Sequence, residues 1–189
     1  MRYAPEHNEE TRQRILDVAS RLFREHGIAA VGLAKVMAEA DLTVGTFYTH
    51  FKSKEALVKE ALLRSLQARH EQLAQAIQRG DIETAIRAYL SVEHRDAPGD
   101  GCPVAALAPE VARHPRATRQ AFATHNQPTL DGIAALLSSQ RGKKVDRDDA
   151  AAFLGLLSGT LQLARATPDP TESDGILEAG VRAAMRLAK

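Results

Sequence analysis

Residues 40–57 read Ala40-Asp41-Leu42-Thr43-Val44-Gly45-Thr46-Phe47-Tyr48-Thr49-His50-Phe51-Lys52-Ser53-Lys54-Glu55-Ala56-Leu57. Of the chain's five Phe and three Tyr, three fall between positions 47 and 51. Phe47 and Phe51 are four residues apart, so a helix places them on one face as an anchor. Thr46, Tyr48, Thr49 and His50 are left to the other sides. Thr43 precedes this helix as an N-cap, and the free N–H groups behind such a cap attract a phosphate. Lys52 and Lys54 add positive potential, and no acid lies between Asp41 and Glu55. Upstream, Leu33, Val36, Met37 and Ala40 share one face of another short helix, and Asp41-Leu42-Thr43 interrupts the two. Two short helices joined by three or four residues and braced on both sides are the layout of a helix-turn-helix, whose second helix enters the major groove.

Outward from this segment the apolar spacing is three or four residues almost throughout, which predicts an all-α chain of about nine helices. Ile15, Ala19, Leu22 and Phe23 form the stripe of the first, which Gly27 stops. Ser53 caps a long helix carrying Leu57, Ala61, Leu62, Leu66, Leu73 and Ile77 to Gly80. Asp81 then caps a fifth, from Ile82 to about His94. The clearest loop is Asp96-Ala97-Pro98-Gly99-Asp100-Gly101, and Pro103 opens a sixth helix ending near His114. A seventh starts at Pro115, with a kink or break expected at Pro128. Asp146 caps the eighth, through Ala166, and Asp169 opens the ninth.

Composition limits the function. The 189 residues carry 25 Lys and Arg against 24 Asp and Glu, a net charge of +1. That balance gives no global polybasic signature, so any claim on nucleic acid rests on local residues. No apolar run approaches the roughly 20 residues a bilayer span needs. Met1 to Glu6 lack the apolar stretch of a secretory signal, and a soluble cytoplasmic protein is expected. The single cysteine, Cys102, excludes an internal disulfide framework and a Cys-rich zinc site. His94, His114 and His125 have no metal-ligand spacing, and no cofactor signature is present. An all-α enzyme fails on chemistry, for want of paired carboxylates on an apolar face, Glu-x-x-His motifs or a phosphate-cradling glycine loop.

The quoted segment resembles the signature of TetR/AcrR transcriptional regulators: an aliphatic-Ala helix, a tight turn, a G-T-(Leu/Phe)-Y-x-H-F recognition helix and a K-S-K-E-x-L start to the next helix. The likeness spans roughly residues 10–60. It implies a DNA-binding domain over 1–53 and a helical ligand-binding and dimerisation domain over 54–189. Position by position, Thr43, Tyr48, His50 and Lys54 look like phosphate contacts, and Val44, Gly45, Thr46 and Thr49 like the groove-facing set. Phe47, Phe51, Val36 and Leu57 look like core. Three positions depart from the pattern. Asp41 stands at a turn usually held by Gly and must take a left-handed conformation, which Asp tolerates better than most residues. Gly32 replaces the usual Ser or Thr cap. Val44 replaces a polar residue; it can pack on a thymine methyl but cannot read a guanine.

The resemblance further implies a homodimer through the eighth and ninth helices on a roughly palindromic operator in double-stranded DNA. Ala151, Gly155 and Gly159 form a small-residue ridge on the eighth that permits close helix approach. A small-molecule effector between the fourth and eighth helices is implied too. Helical spacing and mixed polarity nominate Tyr89, His94, Phe122, His125, Asn126 and Phe153 as its lining. Gly101-Cys102-Pro103-Val104-Ala105-Ala106-Leu107 is similar to a subset of these regulators, some of which sense electrophiles or oxidants. Cys102 is therefore a candidate effector-site or redox residue. A helical interaction module with a non-binding head is the third reading. For a DNA reader, near-neutral charge predicts modest non-specific affinity and a shallow salt slope.

Overall fold

The computed structural model describes residues 5–78 and 82–189. Its described helices are α1 (Pro5–His26), α2 (Leu33–Glu39), α3 (Val44–His50), α4 (Lys54–Gln78), α5 (Ile82–Tyr89), α6 (Val92–Asp96), α7 (Pro103–Val111), α8 (Arg116–Arg141), α9 (Arg147–Ala166) and α10 (Pro170–Ala188), with a 3₁₀ turn at Pro98–Asp100. Among the described residues there is no strand. No helix among them is long and apolar enough to cross a membrane. The expected caps at Gly80 and Asp81 lie outside the described residues.

Local chemistry sets most boundaries. Gly27, at φ +83°, stops α1, and Gly142, at φ +64°, stops α8. Asp146 accepts from the Asp149 N–H at 2.9 Å, and Asp169 from the Glu172 N–H at 2.8 Å, so each carboxylate satisfies an otherwise orphaned donor. The Ser53 hydroxyl accepts from the Ala56 N–H at 3.1 Å and opens α4.

Three expectations are corrected. The predicted fifth helix is two, because Ser91 turns extended and its hydroxyl caps α6 by accepting from the His94 N–H at 3.2 Å. The helix expected to end near His114 stops as an α-helix at Val111, and the Arg113 and His114 N–H groups bond three residues back, to Glu110 and Val111, in a tighter turn. Of the kink or break expected at Pro128, the break does not occur, since α8 runs from Arg116 to Arg141. Losing one backbone bond there is outweighed by burial of Thr129, Ile133, Leu136 and Leu137 along the same helix.

The buried residues form two clusters. One joins α1 to α4 through Ile15, Ala19, Phe23, Val36, Met37, Phe47, Phe51, Leu57 and Leu62. The other joins α5, α8, α9 and α10 through Ile86, Tyr89, Leu137, Phe153, Leu157, Leu161, Leu177 and Val181. Helix α7 serves both, because Ala105 belongs to the second cluster while Leu107 and Val111 belong to the first. At Gly180 a Cβ would collide with Thr160 and come within 3.0 Å of Leu90, so glycine permits the close approach of α10.

Candidate functional site

The α2–α3 junction is built by backbone economy. Asp41 takes φ +60°, the left-handed conformation expected of it. The Leu42 N–H then reaches back to the Met37 carbonyl at 2.8 Å, closing the end of α2. Gly32 starts α2 without a side-chain cap bond. At α3, the Thr43 hydroxyl accepts from the Thr46 N–H at 3.4 Å and lies 3.1 Å from the Thr46 hydroxyl.

Helix α3 is held from below and open above. Phe47 is fully buried, stacked on Phe51 with ring centres 5.6 Å apart. Tyr48 meets the Phe47 ring edge-on at 5.1 Å, yet 66% of it is exposed. Val44 is 42% exposed. Thr43, Gly45 and Thr49 are exposed, and Thr46 and His50 are half-buried. The Thr49 hydroxyl donates to the Thr46 carbonyl at 2.7 Å, leaving its lone pairs outward. A Cβ at Gly45 would make only ordinary contact with Thr43, so packing within the chain does not require glycine there. The expected interface residues, on α3 and at the start of α4, are thus exposed or half-buried, with two qualifications. The Lys54 ammonium donates to the Ile28 carbonyl at 2.9 Å, so it ties α4 to the loop before α2 and keeps two N–H donors for anything outside. Burial, and then the nearby Arg12, push the His50 imidazole below its ordinary range, so at neutral pH it offers a neutral N–H. Arg12 itself sits over the Phe51 ring at 4.8 Å and pairs with Glu60.

Below the second cluster's surface lies a cavity of about 520 Å³ among α4, α5, α8, α9 and the segment 91–101. Of the seven residues nominated from the sequence, Tyr89, His94 and Phe153 line it. His94 is fully engaged: Nδ1–H donates to the Tyr89 carbonyl at 2.6 Å, and Nε2 accepts the Cys102 backbone N–H at 2.9 Å. Burial pushes this imidazole down to about 4, which keeps it neutral and compatible with both bonds. The other four nominees lie elsewhere. Cys102 is 1% exposed and packs into the second cluster. Phe122 packs against the first cluster. His125 is exposed, its Nδ1 paired with the Ala121 carbonyl at 2.9 Å. Asn126 lies in a separate groove beside Ala151, Gly155 and Gly159, with its buried Oδ1 unpartnered among the described groups.

An interlock between the two clusters has no counterpart in the sequence expectations. Arg24 of α1 donates through Nε to the Gly99 carbonyl at 2.7 Å and through Nη1 to the Ser65 hydroxyl at 2.5 Å. Glu110 of α7 accepts from the Ile28 and Ala29 N–H groups at 3.2 and 2.9 Å. Nothing near Arg24 or Glu110 in sequence distinguishes them from solvated helix charges. Replacing Arg24 with Leu would strand the Gly99 carbonyl and take a donor from the Ser65 hydroxyl, which keeps its bond to the Ala61 carbonyl, at a cost of about 1–3 kcal/mol. Urea unfolding of the variant reads that loss directly.

Comparison with known proteins agrees with this geometry. Residues 15–61 match the family model described as bacterial regulatory proteins, tetR family. The HTH-type transcriptional regulator TtgR of Pseudomonas putida is 40% identical over 81 residues, which are 43% of this chain and 38% of that protein. The HTH-type transcriptional repressor NemR of Escherichia coli is 32% identical over 72 residues, 38% of this chain and 36% of its own length. The chain thus spans under two fifths of the length of the curated relatives it matches. In fold the likeness is longer. The crystal structure of E. coli NemR in its reduced form superposes with a TM-score of 0.76 at 23% identity, covering 93% of this chain and 95% of that one. Residues 15–61 thus carry the sequence of the tetR family of bacterial regulatory proteins, and the described helices share the fold of the reduced NemR structure.

Proposed function

We propose that the protein is a ligand-responsive transcriptional repressor that binds a roughly palindromic operator as a homodimer and is released by a small molecule. The observation that carries this is the face of α3, where Val44, Tyr48 and Thr49 stand exposed on a fully buried aromatic foot. Residues 1–53 would read DNA, and 54–189 would bind effector and partner. Tyr48, His50, Thr43 and the spare donors of Lys54 suit phosphates, while Val44, Gly45, Thr46 and Thr49 suit base edges.

Geometry and surface chemistry both support a second copy. One recognition helix reads only a few base pairs, and two-fold symmetry supplies the second half-site. Leu163 of α9 is 63% exposed and Leu187 of α10 is 49% exposed, while Gly155 and Gly159 face open space. Apolar side chains and small-residue gaps of this kind suit a helical partner packed on α9 and α10.

The interlock supplies the coupling. Ala97, Asp100 and Gly101 line the cavity, and Gly99 between them holds Arg24 of the DNA-reading unit. An effector that moves this segment moves the head, which is the differential contact a two-state switch needs. The burial of Cys102 supports this route over thiol chemistry, because a sensing thiol needs access to its oxidant. Footprinting with DNA taken from beside the coding sequence tests the proposal. Two protected half-sites about one helical turn or more apart, filled by two chains, are expected. A single half-site saturated by one chain contradicts it.

A further inference from the structure

Resting on the reading of the cavity as the effector site, the structure assigns a chemical class to that effector. We propose that it is a small organic anion, an apolar and preferably aromatic body carrying one carboxylate or equivalent acid, with its charge on Arg69. The walls are mostly aliphatic and aromatic, and the volume of about 520 Å³ falls within the usual range for small-molecule sites. Tyr89 and Phe153 give aromatic surface for a flat body.

The sign of the charge follows from which lining charges already have partners. Three charged residues line the cavity: Arg69, Glu93 and Asp100. Glu93 is exposed in the first turn of α6, where its own backbone N–H and the Ser91 hydroxyl hold the carboxylate ionised. Asp100 is exposed and faces the Arg24 guanidinium, whose charge it stabilises. His94 is neutral with both ring nitrogens engaged. Arg69 differs from all of these. It is half-buried, its guanidinium lies over the Tyr89 ring at 5.1 Å, and its one hydrogen bond, to the Gln72 amide oxygen, is 3.4 Å long. No carboxylate pairs with it among the described residues. A half-buried guanidinium held at a cavity wall by a ring face, with donors to spare beyond one long bond to Gln72, fits a carboxylate in bidentate fashion. A second observation points to a ligand in the same place. Thr129 lines the cavity, is 3% exposed, and its Oγ1 has no hydrogen-bond partner among the described groups. A native protein rarely leaves such a hydroxyl unsatisfied, and a polar atom on the bound molecule completes it.

Three probes sharing one ring system separate charge from shape: 1-naphthoate, 1-naphthamide and 1-naphthylmethylammonium, titrated calorimetrically into the full-length chain at neutral pH. The acid is expected to bind one per chain and roughly tenfold or more tighter than the amide, with the ammonium weakest. Arg69→Gln should erase the acid's advantage over the amide, and Arg69→Lys should restore part of it. A thermal melt of each variant confirms that it is folded. Equal binding of acid and amide, or an acid preference that survives Arg69→Gln, overturns the anion class and leaves the cavity reading standing. Tightest binding by the ammonium also overturns it, in favour of an organic cation. If none of the three binds, the cavity reading itself falls, and the anion class with it.

Discussion

Replacing Phe47 with Ala is expected to lower stability by roughly 3–5 kcal/mol and to abolish DNA binding, the largest loss from any single change in α3. The ring is fully buried, stacked on Phe51, and met by the edge of Tyr48. Its removal opens a cavity at the meeting point of α1, α2, α3 and α4, and a seven-residue helix has little intrinsic stability with which to persist. A protein with a total stability of about 5–15 kcal/mol cannot lose that much without partial melting. Because the buried residues form two clusters, the head should melt first while α8 to α10 stay folded. Far-UV circular dichroism in urea would then show two steps where the parent shows one. A variant that unfolds in one step at the parent's midpoint would mean that α3 is not anchored by its aromatic foot.

Leu163→Glu is expected to convert the proposed dimer to monomers at micromolar concentration and to weaken operator binding by about a hundredfold or more. Leu163 lies exposed on α9, where burying it against a second copy gains apolar contact. Two-fold symmetry places two glutamates in one interface, so each substitution acts twice and brings like charges together. Losing the dimer separates the two heads, and the second head no longer binds at the high effective concentration the first provides. Sizing with light scattering reads the first effect and fluorescence anisotropy the second. A dimer of undiminished affinity would place the interface on another face.

Features that depend on residues three or four apart are legible in the sequence. Thr43, Asp146 and Asp169 cap their helices because a short polar side chain reaches the N–H three residues on. Asp41 adopts positive φ because the turn between α2 and α3 is too tight for other backbone geometries. Phe47 and Phe51 share a face because the helix makes them do so. Features that depend on distant segments are not legible there. The bond from Arg24 to Gly99 joins residues 75 apart, and neither has a local pattern that reveals it. The cavity gathers α4, α5, α8 and α9, so a lone Arg69 or Thr129 looks ordinary until those helices meet. Helical spacing alone also overcounts: His125 and Phe122 have suitable polarity and position but turn to solvent and to the first cluster. The charge balance of +1 stands, and under the proposed function it fits a reader that uses few phosphates.

In the proposed function α3 docks on DNA with Tyr48 on the backbone and Thr49 toward the bases. The most direct measurement is an anisotropy titration of the parent, Tyr48→Ala and Thr49→Ala chains against the footprinted operator and a panel of single-base variants, at one moderate salt concentration. Tyr48→Ala should weaken binding to every duplex by roughly tenfold or more without changing their ranking. Thr49→Ala should change the ranking at the base positions it faces. Tyr48 is exposed, so its loss leaves the fold intact and the comparison clean. Affinity for the operator unchanged in Tyr48→Ala would contradict the docking and, with it, the assignment of α3 as the helix that reads DNA.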